Sequence, residues 1–445
     1  MEQRARWGRL RSLVIDTAPV RHDVDFRRLW FGQFGSGFGR ESVKIAIPLQ
    51  VYLLTESAAI VGLVAVAQLV PALLFSLVGG ALADAFDRRR LMILSQIAMG
   101  VTMLALLGLS LLPDPPIPLI LLCAALFTTF FAVEHPARTS AVPRLVPPER
   151  LSSAIALSSL NFQVSGLVGP AIAGLLIALT DVSAVYALLV GAYAWAVFLT
   201  IRVGPIPSSG AASRPSLRGI VEGLSFIRQR RTILGAVVID LNAMIFGLPI
   251  AIFPVLAIEM FGVGPAEVGF LAAARGGGAL VAALLSGWVR TMDRTGRAVL
   301  ASVGVYAAVT IGVGMPGLSF LAAVPFVAVA GAADLLSAVL RNTIIQSTTD
   351  DEFRGRVSAA HGLATQSGPR LGDLRAALMT EAIEARGAVV VGGLLALAGT
   401  GVVARAFPQL WAYSHHDVIR EGDAKRATLD SDGGDVSSVT RTGPE

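Results

Sequence analysis

Residues 79–90 read Gly-Gly-Ala-Leu-Ala-Asp-Ala-Phe-Asp-Arg-Arg-Arg, a charged segment between two long apolar runs. One run, from Ile60 to Val78, precedes it, and the other, from Leu91 to Leu112, follows it. Each run is long enough to cross about 30 Å of hydrocarbon, whereas two acids and three consecutive arginines require water or headgroups. The stretch therefore predicts a surface loop, here called the motif loop, that joins two membrane-spanning helices.

The composition extends this interpretation to the whole chain. The 445 residues are 54% hydrophobic and 15% charged, and the mean hydropathy is +0.68. A soluble core cannot absorb so much apolar sequence. We therefore expect an all-α polytopic membrane protein with about 12 transmembrane helices of roughly 20 residues each. The apolar segments lie near 29–54, 60–80, 91–112, 117–140, 152–179, 183–203, 232–258, 267–289, 298–315, 318–341, 357–380 and 388–406.

The distribution of arginine predicts the orientation of these helices. Basic residues crowd the N-terminal arm, the motif loop and the connection from Arg202 to Arg231, whereas the alternate loops nearly lack them. By the positive-inside rule both termini are cytoplasmic, so the net charge of +5 reflects topology and not a nucleic-acid partner. We expect a cytoplasmic arm over 1–28, a six-helix half over 29–203, a cytoplasmic connector over 204–231, a second half over 232–406 and a disordered tail over 407–445.

An internal repeat supports the two halves. Asp87-Arg88 recurs as Asp293-Arg294, and with an offset of about 203 Arg138 falls on Arg341 and Pro170 on Asp373. Such a repeat is typical of transporters that bind their substrate at the interface between halves.

Two small-residue motifs point to close helix packing. Gly80 and its neighbours allow helix ends to approach each other, which leaves Asp84 free to cap a neighbouring helix. In the fifth segment, glycines provide a flat face and a proline bends the helix; the set is Gly166, Gly169, Pro170 and Gly174. The alternatives are an ordinary positive-inside loop for the first motif and generic small-residue packing for the second.

These motifs resemble those of the major facilitator superfamily. Further stretches, 25–33, 61–63, 143–151, 353–357 and 371–373, resemble its branch that contains the enterobactin exporter, and the resemblance covers Asp25 to about Ala406. It implies a monomeric, proton-driven efflux carrier of the bacterial inner (cytoplasmic) membrane that exports a siderophore or drug-like solute. Protons, membrane lipid and a small-molecule substrate are then the partners. It also implies a cytoplasmic gate, formed by Gly80, Asp84, Asp87, Arg88, Arg138, Asp293, Arg294 and Arg341.

Ionisable residues inside the predicted spans are candidates for proton or substrate handling, because charges in a bilayer are costly. Arg40, Glu41 and Lys44 are three or four residues apart and share one helix face, where Glu41 either carries a proton or belongs to a self-neutralised cluster. Asp240 lies before the helix breakers Gly247 and Pro249.

The remaining candidates lie in the second half. Asp373, like Asp240, handles a proton or forms a structural ion pair. Asp334 and Arg341 are two turns apart and are expected to pair through neighbouring residues. Arg275 either meets an anionic substrate or neutralises an acid on another helix.

No enzyme motif accompanies these charges. Neither lysine follows a glycine as in a phosphate loop, the histidines lack metal spacing, and no nucleophile elbow is present. We therefore expect no cofactor and no metal. The leading hypothesis is an alternating-access exporter, and the alternatives are an uptake symporter of the same fold and a transport-inactive membrane scaffold.

Overall fold

The computed structural model describes residues 16–207, 217–287, 292–350 and 352–414. Most of the predicted arm and tail, part of the connector and the side chain of Asp84 lie outside the described part of the chain.

Twelve long helical segments, numbered α1 to α12, form the bundle. The first half contains α1 to α6, which are Val24–Thr55, Ala58–Ala85, Arg88–Ser110, Ile117–Leu145, Leu151–Leu179 and Val182–Ile201. In the second half, α7 to α10 are Arg231–Phe246, Pro265–Leu285, Thr295–Val313 and Phe320–Thr348. Arg354–Ala406 contains both α11 and α12, which non-helical backbone at Ile383 and Glu384 separates.

Shorter helices complete the described ranges. They are Ala18–His22, the 3-10 turn Pro148–Arg150, the connector helix Leu217–Gln229, Phe253–Val255, the π-helix Leu256–Met260 and Pro408–Ala412.

The observed helices agree with the predicted membrane fold. Within the described ranges, nine helices are long and apolar enough to cross a membrane. One of them, Arg354–Ala406, contains two segments. Two further helices are not among the nine. Helix α1 carries three central charges, and α7 has only 16 residues and continues through a break into the π-helix. The predicted all-α membrane fold is therefore confirmed, and the observed helices are consistent with twelve spans.

The repeat is visible in the helix lengths. Both α4 and α10 contain 29 residues, and they begin 203 positions apart, at Ile117 and Phe320. The first residues of α5 and α11, Leu151 and Arg354, have the same offset. Arg138 and Arg341 therefore occupy equivalent positions on α4 and α10.

The two halves pack mainly through α5 against α8 and α2 against α11. At the first interface Gly174 approaches Gly269 so closely that a Cβ on Gly174 would lie 2.5 Å from the Gly269 Cα. Near the C-terminal end of α1, the Tyr52 hydroxyl donates to Oε1 of Glu259, in the π-helix that follows α7, over 2.7 Å. These contacts lie toward the end of the bundle opposite the motif loop, here called the far end, and they join the halves there.

The motif loop itself is shorter than predicted. The small residues of 79–85 continue α2 to Ala85, so the turn consists of Phe86 and Asp87 only. Asp87 accepts a hydrogen bond from the Arg90 amide over 2.9 Å and thereby caps its own helix, α3. At the far end, Asp181 caps α6 in the same way, and its hydrogen bonds from Ser183 lower the pKa of the Asp181 carboxyl.

Candidate functional site

The predicted charges on α1 form a compact cluster. Glu41 accepts from Arg40 Nε and Lys44 Nζ, each over 2.8 Å. The Arg40 guanidinium also lies over two aromatic rings, 4.6 Å from the centroid of Phe162 and 5.3 Å from that of Phe131. Arg40 and Glu41 are buried, whereas the side chain of Lys44 remains 46% exposed. Glu41 is thus the shared ion-pair partner of Arg40 and Lys44, and part of the Lys44 side chain remains accessible.

Arg138 has a partner on its own helix. Glu134, one turn earlier on α4, places Oε2 3.7 Å from Arg138 Nη1, and both side chains are buried. Glu134 Oε1 and Arg138 Nε have no hydrogen-bond partner. The pair is therefore held by charge attraction at a distance longer than a hydrogen bond.

Arg341, the equivalent residue of the second half, belongs to a charged group that spans three helices. It forms an ion pair with Asp240 of α7 and donates to Ser337 on its own helix. The second carboxylate oxygen of Asp240 lies 3.8 Å from Nε2 of His361 on α11. Asp240, Arg341 and His361, here called the buried triad, place one carboxylate between a guanidinium and an imidazole.

The break after α7 exposes backbone groups that other helices use. The helix ends at Phe246, and the Leu248 carbonyl accepts from Arg275 of α8 and from the Tyr306 hydroxyl of α9. Arg275 also pairs with Asp334 of α10 over 3.0 Å. Arg275 thus meets an acid from a neighbouring helix, one of the two alternatives that its sequence position left open.

The charges of α11 have different surroundings. Asp373 Oδ1 accepts from the Ala251 amide over 3.3 Å, just beyond the α7 break. Arg375 donates to the carbonyls of Ile245, Gly247 and Ala388 and so ties α11 to the end of α7 and to α12. Arg370 donates only to the Gln366 carbonyl, one turn earlier.

The motif-loop charges hold the start of the connector. Asp87 Oδ2 accepts from the Ile206 amide over 3.0 Å, and Arg88 and Arg144 both donate to the Pro207 carbonyl. In the second half, Asp293 and Arg294 directly precede α9. Their role in a gate, like that of Asp84, stays a prediction.

The small-residue motifs act at positions next to some of those predicted. The close approach in α2 occurs at Gly79, where a Cβ would lie 2.4 Å from the Ala132 carbonyl oxygen, whereas a Cβ on Gly80 would meet no atom within 4 Å. In α5, the Gly169 carbonyl accepts from the Ser42 hydroxyl over 3.0 Å. A Cβ on Gly276 would lie 2.4 Å from the Gly166 oxygen, which adds to the α5–α8 contact.

Three site residues had not been singled out from the sequence. Glu134 lies four residues before Arg138, a helical spacing that predicts the pair. His361 and Tyr306 become partners of Asp240 and Leu248 only through the packing of different helices, and no sequence spacing indicates this.

The comparisons with known proteins agree with this architecture. The family described as "Transmembrane secretion effector", within the major facilitator superfamily, matches residues 15–432. The enterobactin exporter EntS of Shigella boydii serotype 4 (strain Sb227) is 26% identical over 362 residues, which cover 81% of this chain and 86% of that protein. EntS of Citrobacter koseri is 26% identical over 397 residues, covering 87% and 94%.

Solved structures of similar fold include two transporters. A peptide transporter (POT) has a TM-score of 0.71 at 11% identity and covers 87% of this chain and 94% of its own. A bacterial homologue of the human lysosomal transporter Spinster, in an inward-facing and unoccupied conformation, has a TM-score of 0.69 at 14% identity, with coverage of 89% and 99%. At these identities the likeness concerns the fold.

Proposed function

The chain belongs to the transmembrane secretion effector family of the major facilitator superfamily, and on this premise we propose that it exports a small amphipathic solute across the bacterial inner membrane. It is a multi-pass membrane transporter and not an enzyme. The curated relatives EntS are named enterobactin exporters, which favours a siderophore or a drug-like compound as the solute.

The observation that carries the proposal is the buried triad. Asp240, Arg341 and His361 lie on α7, α10 and α11 and are inaccessible or nearly so. An acid held between an arginine and a histidine is able to change its protonation while its neighbours redistribute the charge. Because the three residues sit on three helices, such a change alters helix packing in the second half.

The proposed cycle is proton antiport by alternating access. The two halves rock about the space between them, and the far-end contacts Tyr52–Glu259 and Gly174–Gly269 separate when the solute leaves. A proton entering from outside neutralises Asp240, releases Arg341 and resets the carrier. Both termini then lie in the cytoplasm, and the motif loop lies at the cytoplasmic gate.

The test uses purified protein in liposomes with an imposed pH gradient and a pH-sensitive dye. Enterobactin, other catecholate siderophores and lipophilic drugs are added in turn. We expect solute-dependent proton movement that is lost in Asp240→Asn and retained in Asp114→Asn, a matched change in an exposed loop acid. Size-exclusion chromatography verifies that both variants fold.

Two results would contradict the proposal. Unchanged proton coupling in a folded Asp240→Asn protein rules out the triad as the proton site. Solute accumulation driven in the opposite direction, so that deletion strains hold less solute than wild-type cells, identifies an uptake symporter.

A further inference from the structure

The interior of the bundle carries more positive than negative charge. Among residues of the described helices that lie six or more positions from both helix ends, seven are lysine or arginine and five are acidic. The basic residues are Arg40, Lys44, Arg138, Arg275, Arg341, Arg370 and Arg375, and the acidic residues are Glu41, Glu134, Asp240, Asp334 and Asp373. Uncompensated charge at this depth is costly, so the surplus requires an explanation.

The ion pairs show where the surplus lies. Arg138, Arg341 and Arg275 each have an acid of their own. Arg375 is fixed by backbone carbonyls at the end of α7 and on α12, which makes it part of the scaffold. Glu41 must serve both Arg40 and Lys44. Among the described residues, Arg370 has no carboxylate within ion-pair distance, and Asp373 acts on it only by longer-range electrostatic attraction.

Lys44 of the first half and Arg370 of the second half lie within electrostatic range of each other. Lys44 lies on α1 and Arg370 on α11, and they are close enough to interact electrostatically, as are Lys44 and Asp373. The partly exposed side chain of Lys44 thus carries its charge within range of both charged residues of α11. Arg370 is also incompletely bonded, because its buried Nε has no hydrogen-bond partner.

From this arrangement we propose that the transported solute is anionic and that its negatively charged group binds between Lys44 of the first half and Arg370 of the second. The inference rests on the proposed export function, since it names the substrate class of the same carrier. Two like charges repel in an empty site, and an anion between them converts that repulsion into two charge-assisted contacts. A carboxylate, a sulfonate or a deprotonated catechol has the required chemistry.

The test compares two fluorescent probes that differ in charge. The anion 1-anilinonaphthalene-8-sulfonate and the neutral N-phenyl-1-naphthylamine share one aromatic scaffold, and binding of each is titrated with protein in nanodiscs against empty nanodiscs. We expect saturable binding of the anion about tenfold tighter than that of the neutral probe, which corresponds to about 1.4 kcal/mol.

Variants then locate the site. Lys44→Gln and Arg370→Gln should each weaken anion binding about fivefold to tenfold and leave the neutral probe unaffected. Lys44→Arg keeps the charge and should keep the preference. Arg386→Gln removes a half-buried arginine near the start of α12 that donates to the Met315 carbonyl. It serves as the matched control, and we expect no change in the binding of either probe.

The proposal is overturned if wild-type protein binds both probes equally, or if folded Lys44→Gln and Arg370→Gln proteins retain the full anion preference. Should a glutamine variant fail to fold, Lys44→Arg and Arg370→Lys together with the wild-type probe ratio still decide. The liposome assay is independent of this measurement. If the protein prefers the anionic probe but transports nothing outward, the export proposal is contradicted and the anion site is not. If it transports only neutral solutes outward, the anion site between Lys44 and Arg370 is contradicted.

Discussion

Arg138 and Arg341 occupy equivalent positions of the two halves, yet their partners differ. On α4, Arg138 faces Glu134 one turn earlier at 3.7 Å. On α10, the residue one turn before Arg341 is Ser337, and the carboxylate comes instead from Asp240 of α7. The equivalent arginines therefore form an ion pair within one helix in the first half and between two helices in the second.

This difference predicts that protonation changes helix packing in the second half, here called the responsive half, and not in the first, here called the static half. Protonating Glu134 changes charge on a single helix and breaks no link between helices. Protonating Asp240 loosens the link of α7 to α10, and His361 connects the change to α11, whose other charges include Arg370 and Asp373. The comparison predicts that ion coupling resides in the second half.

The largest effect is expected when the inter-helix pair is broken. Asp240→Ala leaves Arg341 buried without its carboxylate, which should lower the free energy of unfolding by about 3–5 kcal/mol. Glu134→Ala removes a more distant partner that makes no hydrogen bond to Arg138, so its cost should be smaller, about 1–3 kcal/mol. Thermal unfolding of both variants in one detergent gives the comparison.

Two controls sharpen this test. The double variant Asp240→Ala/Arg341→Leu removes both charges and should recover much of the stability lost by the single change. Equal falls in Tm for Asp240→Ala and Glu134→Ala would show that the two pairs contribute alike and that the asymmetry has no energetic meaning.

A second variant transfers the arrangement of the first half into the second. Ser337→Glu provides Arg341 with a same-helix carboxylate that competes with Asp240. We expect a folded protein whose solute-driven proton movement in liposomes falls about tenfold, because the α7–α10 link no longer depends on Asp240 alone. Ser337→Gln is the control, because glutamine is nearly the same size as glutamate but uncharged, and this variant should retain proton coupling.

The outcome of Ser337→Glu that would count against the comparison is wild-type coupling in a folded protein. The reciprocal change, Glu134→Ser, should leave coupling unchanged and affect only stability.

Much of this architecture follows from the sequence, because helical periodicity and span length are local properties. The Arg40–Glu41–Lys44 cluster follows from spacings of three and four residues on one helix, and the two halves follow from the Asp87-Arg88 and Arg138 echoes. Gly247 and Pro249 indicate the break after α7 for the same reason.

The pairs between helices do not follow in this way. Arg275 and Asp334 are 59 residues apart, and their contact depends on how α8 and α10 pack. Likewise, Arg341 and Asp334, two turns apart on α10, were expected to pair through neighbouring residues. In the structure Arg341 pairs with Asp240 and Asp334 pairs with Arg275. Small residues indicate close approach in general. Only the structure distinguishes Gly79, where an added Cβ would clash with α4, from Gly80, where it would meet no atom within 4 Å.

The third member of the triad allows a milder test of the comparison. His361→Gln keeps a polar side chain near Asp240 but removes the imidazole, which can accept a proton beside the carboxylate. Because the histidine lies 3.8 Å from the carboxylate, the change in stability should stay within about 1 kcal/mol. The pH dependence of transport should flatten while the maximal rate persists. His135→Gln on α4 is the matched control from the first half, and it should leave the pH profile unchanged.

The most local effect is expected at the motif loop. Asp87→Asn keeps a capping side chain at the start of α3 and preserves the contact with the Arg90 amide, whereas Asp87→Ala removes both this cap and the bond from the Ile206 amide. The alanine variant should lose about 0.5–2 kcal/mol, and the asparagine variant less. Hydrogen exchange should become faster at the amides of Arg90 and Ile206 in the alanine variant, while the Asp240 region stays protected. Faster exchange that spreads to α7 and α10 would show instead that the motif loop and the buried triad are energetically coupled, and the division into a static and a responsive half would then have to be abandoned.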